Sequence, residues 1–362
     1  MGSKNSFFKD LLIILSVTFF IILIVDYLFG KKLVNYFFKE QIFPEYSNDS
    51  KLHHKLLPNF KGKVQWKNKS HSFCTNFIGS KIICGEDTTL KNYDYALIGD
   101  SFIEGIGLSA KENISGYLSK SHKDKKIINL SVRSYSNIIY LEKIKYLIDN
   151  KLINFKELIL FPDLSDIQDD SFYYKYNKNY DAIVDQDPLS INRKTKNKLR
   201  KLLPFTYTAL WLFKESIVKK CDYLDKCFVR GGWAYNSKLP KNSFLREKHS
   251  DELEQSIKIS LSYAEDLFDY LKKKKIELSV VVYPWPGSLL YDNTNSKHVE
   301  IWKNFCKNKC KKFVNTYDNF FELKKLKETN DIINEFYMTN DVHFNSKGSK
   351  FISDIISKKL IR

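Results

Sequence analysis

Several common cofactor motifs are absent from this chain of 362 residues. It contains no P-loop, no Rossmann glycine triad, no EF-hand loop and no internal repeat, so the usual phosphate and calcium motifs are missing. It also has no Cys-x-x-Cys pair, which argues against a structural zinc site. We therefore expect no cofactor and no bound metal.

Histidine is scarce as well, with seven residues in the chain. Two of them, His53 and His54, are adjacent, but no carboxylate or third histidine stands at a spacing that suits a metal. This pattern favours a surface loop over a metal site.

Acidic residues are outnumbered by basic ones, 42 to 59, which gives a net charge of +17. The basic residues are spread along the chain, without a long basic tail, a helix-turn-helix or an RNP-like signature. We therefore expect no nucleic-acid partner. Attraction to anionic lipid headgroups or polysaccharide fits the charge better.

A long apolar run stands near the N-terminus. Leu11 to Gly30 has Asp26 as its only charge and about the length that a bilayer-spanning helix needs. It exceeds a signal-peptide core, and no small-residue cleavage site follows it before Lys31 and Lys32. We expect an uncleaved signal anchor; a buried core helix is the alternative. Lysines flank both ends, so the positive-inside rule does not orient the segment.

The six cysteines form three neighbouring pairs, which are Cys74 with Cys84, Cys221 with Cys227, and Cys306 with Cys310. Such pairs are typical of a disulfide framework, which persists in an oxidising compartment. We therefore expect a single-pass membrane protein whose main domain is periplasmic or otherwise extracytoplasmic. A cytoplasm-facing domain with free thiols is the alternative. Because four residues in a regular helix are near the limit of disulfide reach, the third pair is expected at a helix end.

Apolar runs alternate with helical patterns from Tyr95 onward, as in βαβ units with a parallel sheet. The predicted strands are Tyr95–Ile98, Lys126–Leu130, Glu157–Phe161, Glu277–Tyr283 and Lys312–Asn315. The predicted helices include Asn137–Asp149, Asp251–Lys274, Val299–Cys310 and Lys350–Leu360. The expected organisation is a tail at 1–10, the anchor at 11–30, an entry region at 31–92 and an α/β domain at 93–362, with an insertion at about 171–248.

One predicted strand runs directly into a Gly99-Asp100-Ser101 turn. A serine at the carboxyl end of a parallel strand stands where open α/β sheets bind ligands. The three residues are also common in ordinary turns, so an ordinary turn is the alternative interpretation of this block.

A possible base and carboxylate for that serine stand near the C-terminus, in Asp341-Val342-His343. A serine needs a base to take its proton, and the base needs a group that fixes its tautomer. In an extended segment, residues two apart project to the same side, so Asp341 and His343 can address one site.

Together these two blocks resemble the SGNH/GDSL family of serine esterases and acyltransferases, in the form of a membrane-anchored bacterial member. The resemblance extends over roughly Tyr95 to Leu360. It implies a three-layer αβα fold with a flavodoxin-like parallel sheet of about five strands. It also implies Ser101 as nucleophile, His343 as general base and Asp341 as its partner.

Three positions depart from the family pattern. Ser134 occupies the place of an oxyanion-hole glycine, and Ser165 that of an asparagine. We expect the oxyanion to be held by the N–H groups of Ser101 and Ser134, with the shorter Ser165 hydroxyl as a third donor. The Asp-x-His spacing is similar to that of alginate-type O-acetyltransferases rather than the commoner Asp-x-x-His.

Further predictions concern the surroundings of the site. Asp100, Asp166, Tyr283 and Trp285 are expected to contact the substrate. The Tyr283-Pro284-Trp285-Pro286 segment suits stacking on sugar rings or the wall of an acyl pocket. A structural turn is the alternative interpretation of this segment.

These features predict a membrane-anchored serine hydrolase or O-acyltransferase. Its substrate would be an acyl ester, with acetyl as the expected group, of an envelope glycan or lipid, and its partners other proteins of a polysaccharide pathway. Because two oxyanion positions are replaced by serine, the alternative is a weakly active or inactive SGNH-fold protein that binds or assembles envelope components.

Overall fold

The structure is a computed structural model that describes residues 3–30, 32, 43–67, 69–179, 181–185, 198, 202–217, 232–234 and 250–361. The chain divides into two compact units. The smaller unit consists of Met1–Ile42 with Asp187–Cys221, and the larger one of Phe43–Gln186 with Asp222–Arg362.

The described elements of both units are numbered in chain order; the larger unit begins with a run of strands, and from residue 92 onward strands and helices are interspersed. The described strands are β1 (Tyr46–Asp49), β2 (His53–Leu56), β3 (Lys61–Trp66), β4 (Lys69–Thr75), β5 (Lys81–Ile82), β6 (Asn92–Ile98), β7 (Ile127–Asn129), β8 (Asn154–Leu160), β9 (Tyr174–Asn177), β10 (Ala182–Asp185), β11 (Glu277–Val282) and β12 (Lys312–Asn315). The described helices are α1 (Ser3–Val25), α2 (Ser101–Glu104), α3 (Ile114–Ser121), α4 (Asn137–Asp149), α5 (Asp166–Gln168), α6 (Pro204–Ile217), α7 (Ser250–Lys273), α8 (Pro286–Tyr291), α9 (Lys297–Cys306), α10 (Tyr317–Leu323), α11 (Thr329–Phe336) and α12 (Ser346–Lys359). Two π-helical turns, at Asp26–Gly30 and Asp169–Tyr173, and one 3-10 turn at Gly232–Ala234 complete the described elements.

The central sheet has five strands, in the order β12-β11-β8-β6-β7, and every neighbouring pair is parallel. Counted in chain order, this is the 2-1-3-4-5 arrangement of flavodoxin-like doubly wound sheets. The predicted fold class is confirmed. Parallel strands of this kind end on one edge, so the loops that follow them are brought together.

Alternate residues of the central strands face opposite sides of the sheet, as the strand period of two requires. Leu97 and Ile159 pack in one apolar core with residues of α3, α11 and α12. Ala96 and Leu158 pack in the other core with residues of α4, α7 and α9. Helices therefore cover both faces, and the sheet is the middle of three layers.

The described part of the entry region, from residue 43 onward, forms antiparallel strands. Strands β1 and β2 form a hairpin, in which His53 pairs with Asp49 and His54 with Asn48. Strands β3, β4 and β5 form a separate three-stranded sheet. The expectation that the two histidines lie in a surface loop is therefore wrong, because both belong to β2.

Two of the three predicted disulfides lie within the described residues. Cys74 of β4 is bonded to Cys84, with their Cα atoms 5.2 Å apart. Cys306 is bonded to Cys310 over 4.7 Å, and it is the last residue of α9, as the spacing predicted. Because α9 ends there, it is shorter than the predicted Val299–Cys310. Cys221 and Cys227 lie outside the described residues.

The smaller unit contains the apolar N-terminal helix α1. The segment Lys9–Gly30 has 22 residues and a mean hydropathy of 2.7, so by length and composition it is able to cross a membrane. Its large apolar side chains are mostly exposed.

Candidate active site

Ser101 is held at the carboxyl end of β6 by a short, well-defined turn. Asp100 precedes it, and its carboxylate accepts a hydrogen bond from the Phe102 N–H at 3.0 Å. Ser101 begins α2, which ends where Gly105 takes a left-handed φ of 76°. Glycine suits this position because it adopts positive φ without steric cost. The turn leaves the Ser101 side chain partly exposed at the edge of the sheet.

The structure brings Ser101, His343 and Asp341 into one chain of hydrogen bonds. Ser101 Oγ lies 2.8 Å from His343 Nε2, and His343 Nδ1 lies 2.6 Å from Asp341 Oδ1. A carboxylate accepts but does not donate, so we assign the proton of the neutral imidazole to Nδ1. Nε2 is then an acceptor directed at the serine hydroxyl, which is the arrangement of a serine nucleophile with its base.

Asp341 and His343 share a side for a different reason from the one predicted. They lie in a turn rather than an extended segment. The turn is closed by a bridge between Tyr337 and Phe344 and by a hydrogen bond from Met338 N to the His343 carbonyl at 2.9 Å. Within it, His343 N also donates to Asp341 Oδ1 at 3.3 Å.

Two residues that the sequence interpretation missed hold the other oxygen of Asp341. Trp66, the last residue of β3, donates its indole N–H to Asp341 Oδ2 at 2.9 Å. Lys67 Nζ lies 3.1 Å from the same oxygen. The Trp66 ring also meets the His343 ring edge-on, with centroids 5.9 Å apart. Nothing in a Trp-Lys pair of the entry region signals this contact, because it depends on a tertiary approach across 275 residues.

These contacts keep Asp341 ionised. Burial by itself raises the pKa of the carboxyl, but the hydrogen bond and charge of His343, the Trp66 N–H and the Lys67 charge outweigh it. The net pKa of Asp341 is well below its usual value. Asp341 is therefore an anion across the neutral range and able to stabilise a protonated His343.

Behind the serine, the Asp163 carboxylate accepts four hydrogen bonds from three residues. Its Oδ1 accepts from Ser165 N at 2.8 Å and from Ser165 Oγ at 2.7 Å. Its Oδ2 accepts from Tyr283 Oη at 2.8 Å and from Trp285 Nε1 at 2.7 Å. Asp163 and the three donor residues are all buried. The structure therefore corrects two expectations: Tyr283 and Trp285 do not offer open faces for a substrate, and the single Ser165 hydroxyl proton is directed at Asp163 rather than at an oxyanion.

Asp100 and Asp166 are buried as well, which corrects the expectation that they contact substrate. Asp166 Oδ2 accepts from Asp163 N at 3.0 Å. Burial, and then the charge of Asp163, raises the pKa of both carboxyls well above the usual range. Both therefore belong to the support beneath the site.

The Ser101 hydroxyl has one proton and two neighbouring acceptors, Asp100 Oδ2 at 2.9 Å and His343 Nε2 at 2.8 Å. An ionised Asp100 competes with His343 for that proton. A protonated Asp100 instead donates to Ser101 Oγ and leaves the serine proton for His343. The raised pKa of Asp100 favours this second arrangement.

Ser134 follows β7 on the same edge of the sheet and is exposed. Its φ is 58°, a left-handed conformation that glycine adopts most easily. Its carbonyl accepts from Tyr174 Oη at 2.8 Å, which fixes the peptide. Serine thus replaces the expected glycine while the backbone keeps a conformation that suits glycine.

A cavity of about 460 Å³, lined by polar and aromatic side chains, opens beside Ser134. It is lined by Tyr46, Ser47, Asn48, His53, His54, Arg133, Ser134 and Tyr174. This lining has no aliphatic side chain. Hairpin β1–β2 supplies one wall, and the Arg133 guanidinium lies 4.0 Å from the centre of the Tyr46 ring.

The hairpin wall is tied directly to the helix that carries the serine. Tyr46 Oη donates to the Glu104 carboxylate, at 2.5 Å from Oε1 and 2.6 Å from Oε2. Arg133 N donates to Glu104 Oε2 at 2.7 Å. Glu104 is the last residue of α2, so strand β1, helix α2 and the loop after β7 meet at this carboxylate. In the part of the chain that the structure describes, no three His, Cys, Asp or Glu side chains are grouped to hold a metal ion.

No family model and no curated protein matches this sequence. Solved structures that resemble it include a psychrotrophic esterase from Pseudoalteromonas sp., with 11% identity, 74% of this chain and 96% of that chain covered, and a TM-score of 0.35. A putative lipolytic protein of the G-D-S-L family from Desulfitobacterium hafniense has 11% identity, 74% and 99% coverage and a TM-score of 0.37. An acetylxylan esterase from Geobacillus stearothermophilus has 10% identity, 75% and 95% coverage and a TM-score of 0.37.

Proposed function

We propose that this protein is a serine hydrolase or O-acyltransferase that forms an acyl-enzyme on Ser101. The observation that carries the proposal is the unbroken hydrogen-bond chain from Ser101 through His343 to Asp341. A serine at the end of a parallel strand, with a correctly oriented imidazole beside it, is equipped for nucleophilic attack on an ester carbonyl.

In the first step, Ser101 Oγ bonds to the carbonyl carbon while His343 Nε2 takes the hydroxyl proton. The tetrahedral intermediate then collapses, the bond to the alcohol oxygen breaks, and His343 returns the proton to that oxygen. In the second step, water or a sugar hydroxyl attacks the acyl-enzyme, and His343 again takes and returns one proton. Water gives hydrolysis, and a sugar hydroxyl gives acyl transfer.

The developing oxyanion needs donors fixed in advance. The backbone N–H groups of Ser101 and Ser134 are the proposed donors. The positive φ of Ser134 supports this role. The backbone there keeps the conformation that suits the expected glycine, and the proposed donor is a backbone N–H that serine has as well as glycine. Ser165 is omitted because its hydroxyl donates to Asp163.

The cavity beside Ser134 supports a polar substrate. Ser101, His343 and Asp341 are not among its lining residues, so we propose the cavity for the alcohol part of the substrate rather than for the reacting ester. Tyrosine and histidine rings with serine, asparagine and arginine side chains suit a sugar, whereas a long acyl chain needs aliphatic walls. We therefore propose small acyl esters, such as acetyl esters, of envelope glycans as substrates. The apolar helix α1 would hold the protein in the membrane, and the two described disulfides support an extracytoplasmic site. Other proteins of a polysaccharide pathway are the proposed partners.

A second candidate is a binding or assembly protein with little turnover. The observation in its favour is that Ser165 is turned toward Asp163, so that the site has one oxyanion donor fewer than the resemblance implies. The loss of one such donor typically lowers turnover by about 10²–10³-fold.

A serine-directed fluorophosphonate separates these candidates. We expect covalent labelling of the wild type and of Ser262→Ala, an exposed helix serine that serves as control, but none of Ser101→Ala. Acetyl release from acetylated glycans should follow the same pattern. A folded wild-type protein that neither reacts with the probe nor releases acetate would contradict the enzymatic proposal and favour the binding protein.

A further inference from the structure

The only charge in the apolar N-terminal run has a specific set of partners. The Asp26 carboxylate is buried and accepts hydrogen bonds from Phe205 N at 2.5 Å, Thr206 N at 3.3 Å and Thr206 Oγ1 at 2.6 Å. All of these donors belong to the first turn of α6. A carboxylate at this position satisfies N–H groups that the helix cannot pair internally, and its charge complements the helix dipole. Asp26 therefore joins the end of the apolar segment to a second helix.

The junction is close as well as hydrogen-bonded. Gly30, at the end of the π-helical turn, lies so near Pro204 that an added Cβ would be 2.5 Å from the proline Cγ. Within this unit, α6 therefore starts at the point where the apolar segment ends.

Helix α6 has an apolar exposed surface. Leu210 is 58% exposed and Phe213 65%, and Leu202, two residues before the helix, is 66% exposed. A water-facing helix carries polar residues at such positions. Yet α6 has 14 residues and a length of about 21 Å, which is too short to cross the roughly 30 Å hydrocarbon layer.

The sequence before α6 is strongly basic. Residues 193–201 contain six lysines and arginines, which are Arg193, Lys194, Lys196, Lys198, Arg200 and Lys201. An apolar helix beside a basic segment is the combination that binds the surface of an anionic membrane.

We infer that α6 lies in the headgroup region of the same membrane that α1 crosses, with Leu210 and Phe213 directed into lipid. The inference rests on the proposed anchor and goes beyond the proposed catalytic function. It gives Asp26 a role: the carboxylate sits at the lipid boundary because it caps the interfacial helix. The chain then contacts the bilayer through two elements rather than one.

The test places an environment-sensitive fluorescent amino acid at Leu210 in the full chain, reconstituted into vesicles of phosphatidylcholine with phosphatidylglycerol. Two matched sites are labelled separately. Phe20, which is 64% exposed on α1, reports the anchor, and Leu326, which is 82% exposed in the larger unit, reports water. Quenching is measured with nitroxide-labelled lipid chains and with iodide in the aqueous phase.

We expect the lipid nitroxide to quench the probe at 210 several-fold more than at 326, with the reverse order for iodide. Quenching at 20 but not at 210 would overturn the interfacial helix and leave the anchor intact. A probe at 210 that is shielded from both quenchers would mean that a second protein copy covers the helix, which also contradicts the proposal. If the lipid nitroxide quenches the probe at neither Phe20 nor Leu210, the proposed membrane anchor is wrong. The catalytic proposal is tested separately, by fluorophosphonate labelling of Ser101.

Discussion

At the scale of single residues, the Asp341 carboxylate is held in place through both of its oxygens. One oxygen orients His343, and the other is occupied by the Trp66 N–H and the Lys67 ammonium group. Because both oxygens are held, the carboxylate has little freedom to rotate away from the imidazole. The orientation of the proposed base therefore depends on β3 as well as on its own loop.

Trp66→Phe removes the indole donor and keeps most of the ring. A hydrogen bond to a charged group is worth about 1.5–3 kcal/mol, but Lys67 remains, so we expect kcat/KM for an acetyl ester to fall by about tenfold. The loss should appear in kcat rather than KM, because Trp66 contacts the triad and is absent from the lining of the cavity beside Ser134.

The matched control is Trp233→Phe. Trp233 also donates an indole N–H, at 2.9 Å, but to the Leu164 carbonyl instead of to the triad. It should keep near-normal turnover in whatever fraction of the protein is folded. Equal losses of kcat in the two variants would show that Trp66 acts only through general stability.

At the scale of elements, Asp170 links two helices of one face of the sheet. Its carboxylate accepts from Ile138 N at 3.1 Å in the first turn of α4 and from Ser260 Oγ at 2.6 Å on α7. Burial nevertheless raises its pKa to about 6, since these donors only partly offset the lost solvation. The folded protein therefore binds this proton more tightly than the unfolded chain does.

A carboxyl whose pKa is raised on folding contributes stability that is fully present below about pH 3.8, falls as the pH rises between 3.8 and about 6, and is lost above about 6. The shift from 3.8 to about 6 corresponds to about 3 kcal/mol. We expect Asp170→Asn, which stays neutral, to lose about 2 kcal/mol less stability than the wild type between pH 4 and pH 8 in urea unfolding, because a small part of the loss already precedes pH 4. Asp124→Asn, at an exposed carboxylate, should keep the pH dependence of the wild-type free energy of unfolding over this range. If the free energy of unfolding of Asp170→Asn changed with pH as much as that of the wild type, Asp170 would not be the group that titrates.

A comparison of the predicted and observed elements shows which of them the sequence pattern predicts. The five central strands follow from their apolar runs, and β12 agrees with its prediction at both ends. Helix α12 begins four residues before the predicted Lys350 because Asn345 caps it, accepting from Gly348 N at 3.0 Å. Strands β1 to β5 were missed because they are rich in lysine, serine, histidine and asparagine and largely half-exposed or exposed, so their pattern differs little from that of a polar loop.

The site was predictable where neighbours in sequence carry its chemistry. Ser101 and the Asp341–His343 pair stand in recognisable blocks. The support from Trp66 and the burial of Tyr283 and Trp285 arise from long-range packing, which no local pattern encodes.

At the scale of the whole molecule, the disulfides test the predicted compartment. We expect Cys74, Cys84, Cys306 and Cys310 to resist alkylation in the denatured, unreduced protein isolated from its native host. Mass spectrometry after alkylation, with and without reductant, locates each modified cysteine. Alkylation of these four residues without reductant would contradict an oxidising location and favour the cytoplasm-facing alternative.

The contact between Trp66 and Asp341 has a practical consequence for anyone who trims this protein. A soluble fragment that starts at the first strand of the parallel sheet, near residue 92, keeps the serine, histidine and aspartate but discards the tryptophan and lysine that brace the aspartate. Such a fragment would retain the reacting groups and lose their alignment. A cut placed just ahead of Phe43 spares that brace; it removes the apolar anchor segment together with Asp26, so α6 loses its capping carboxylate.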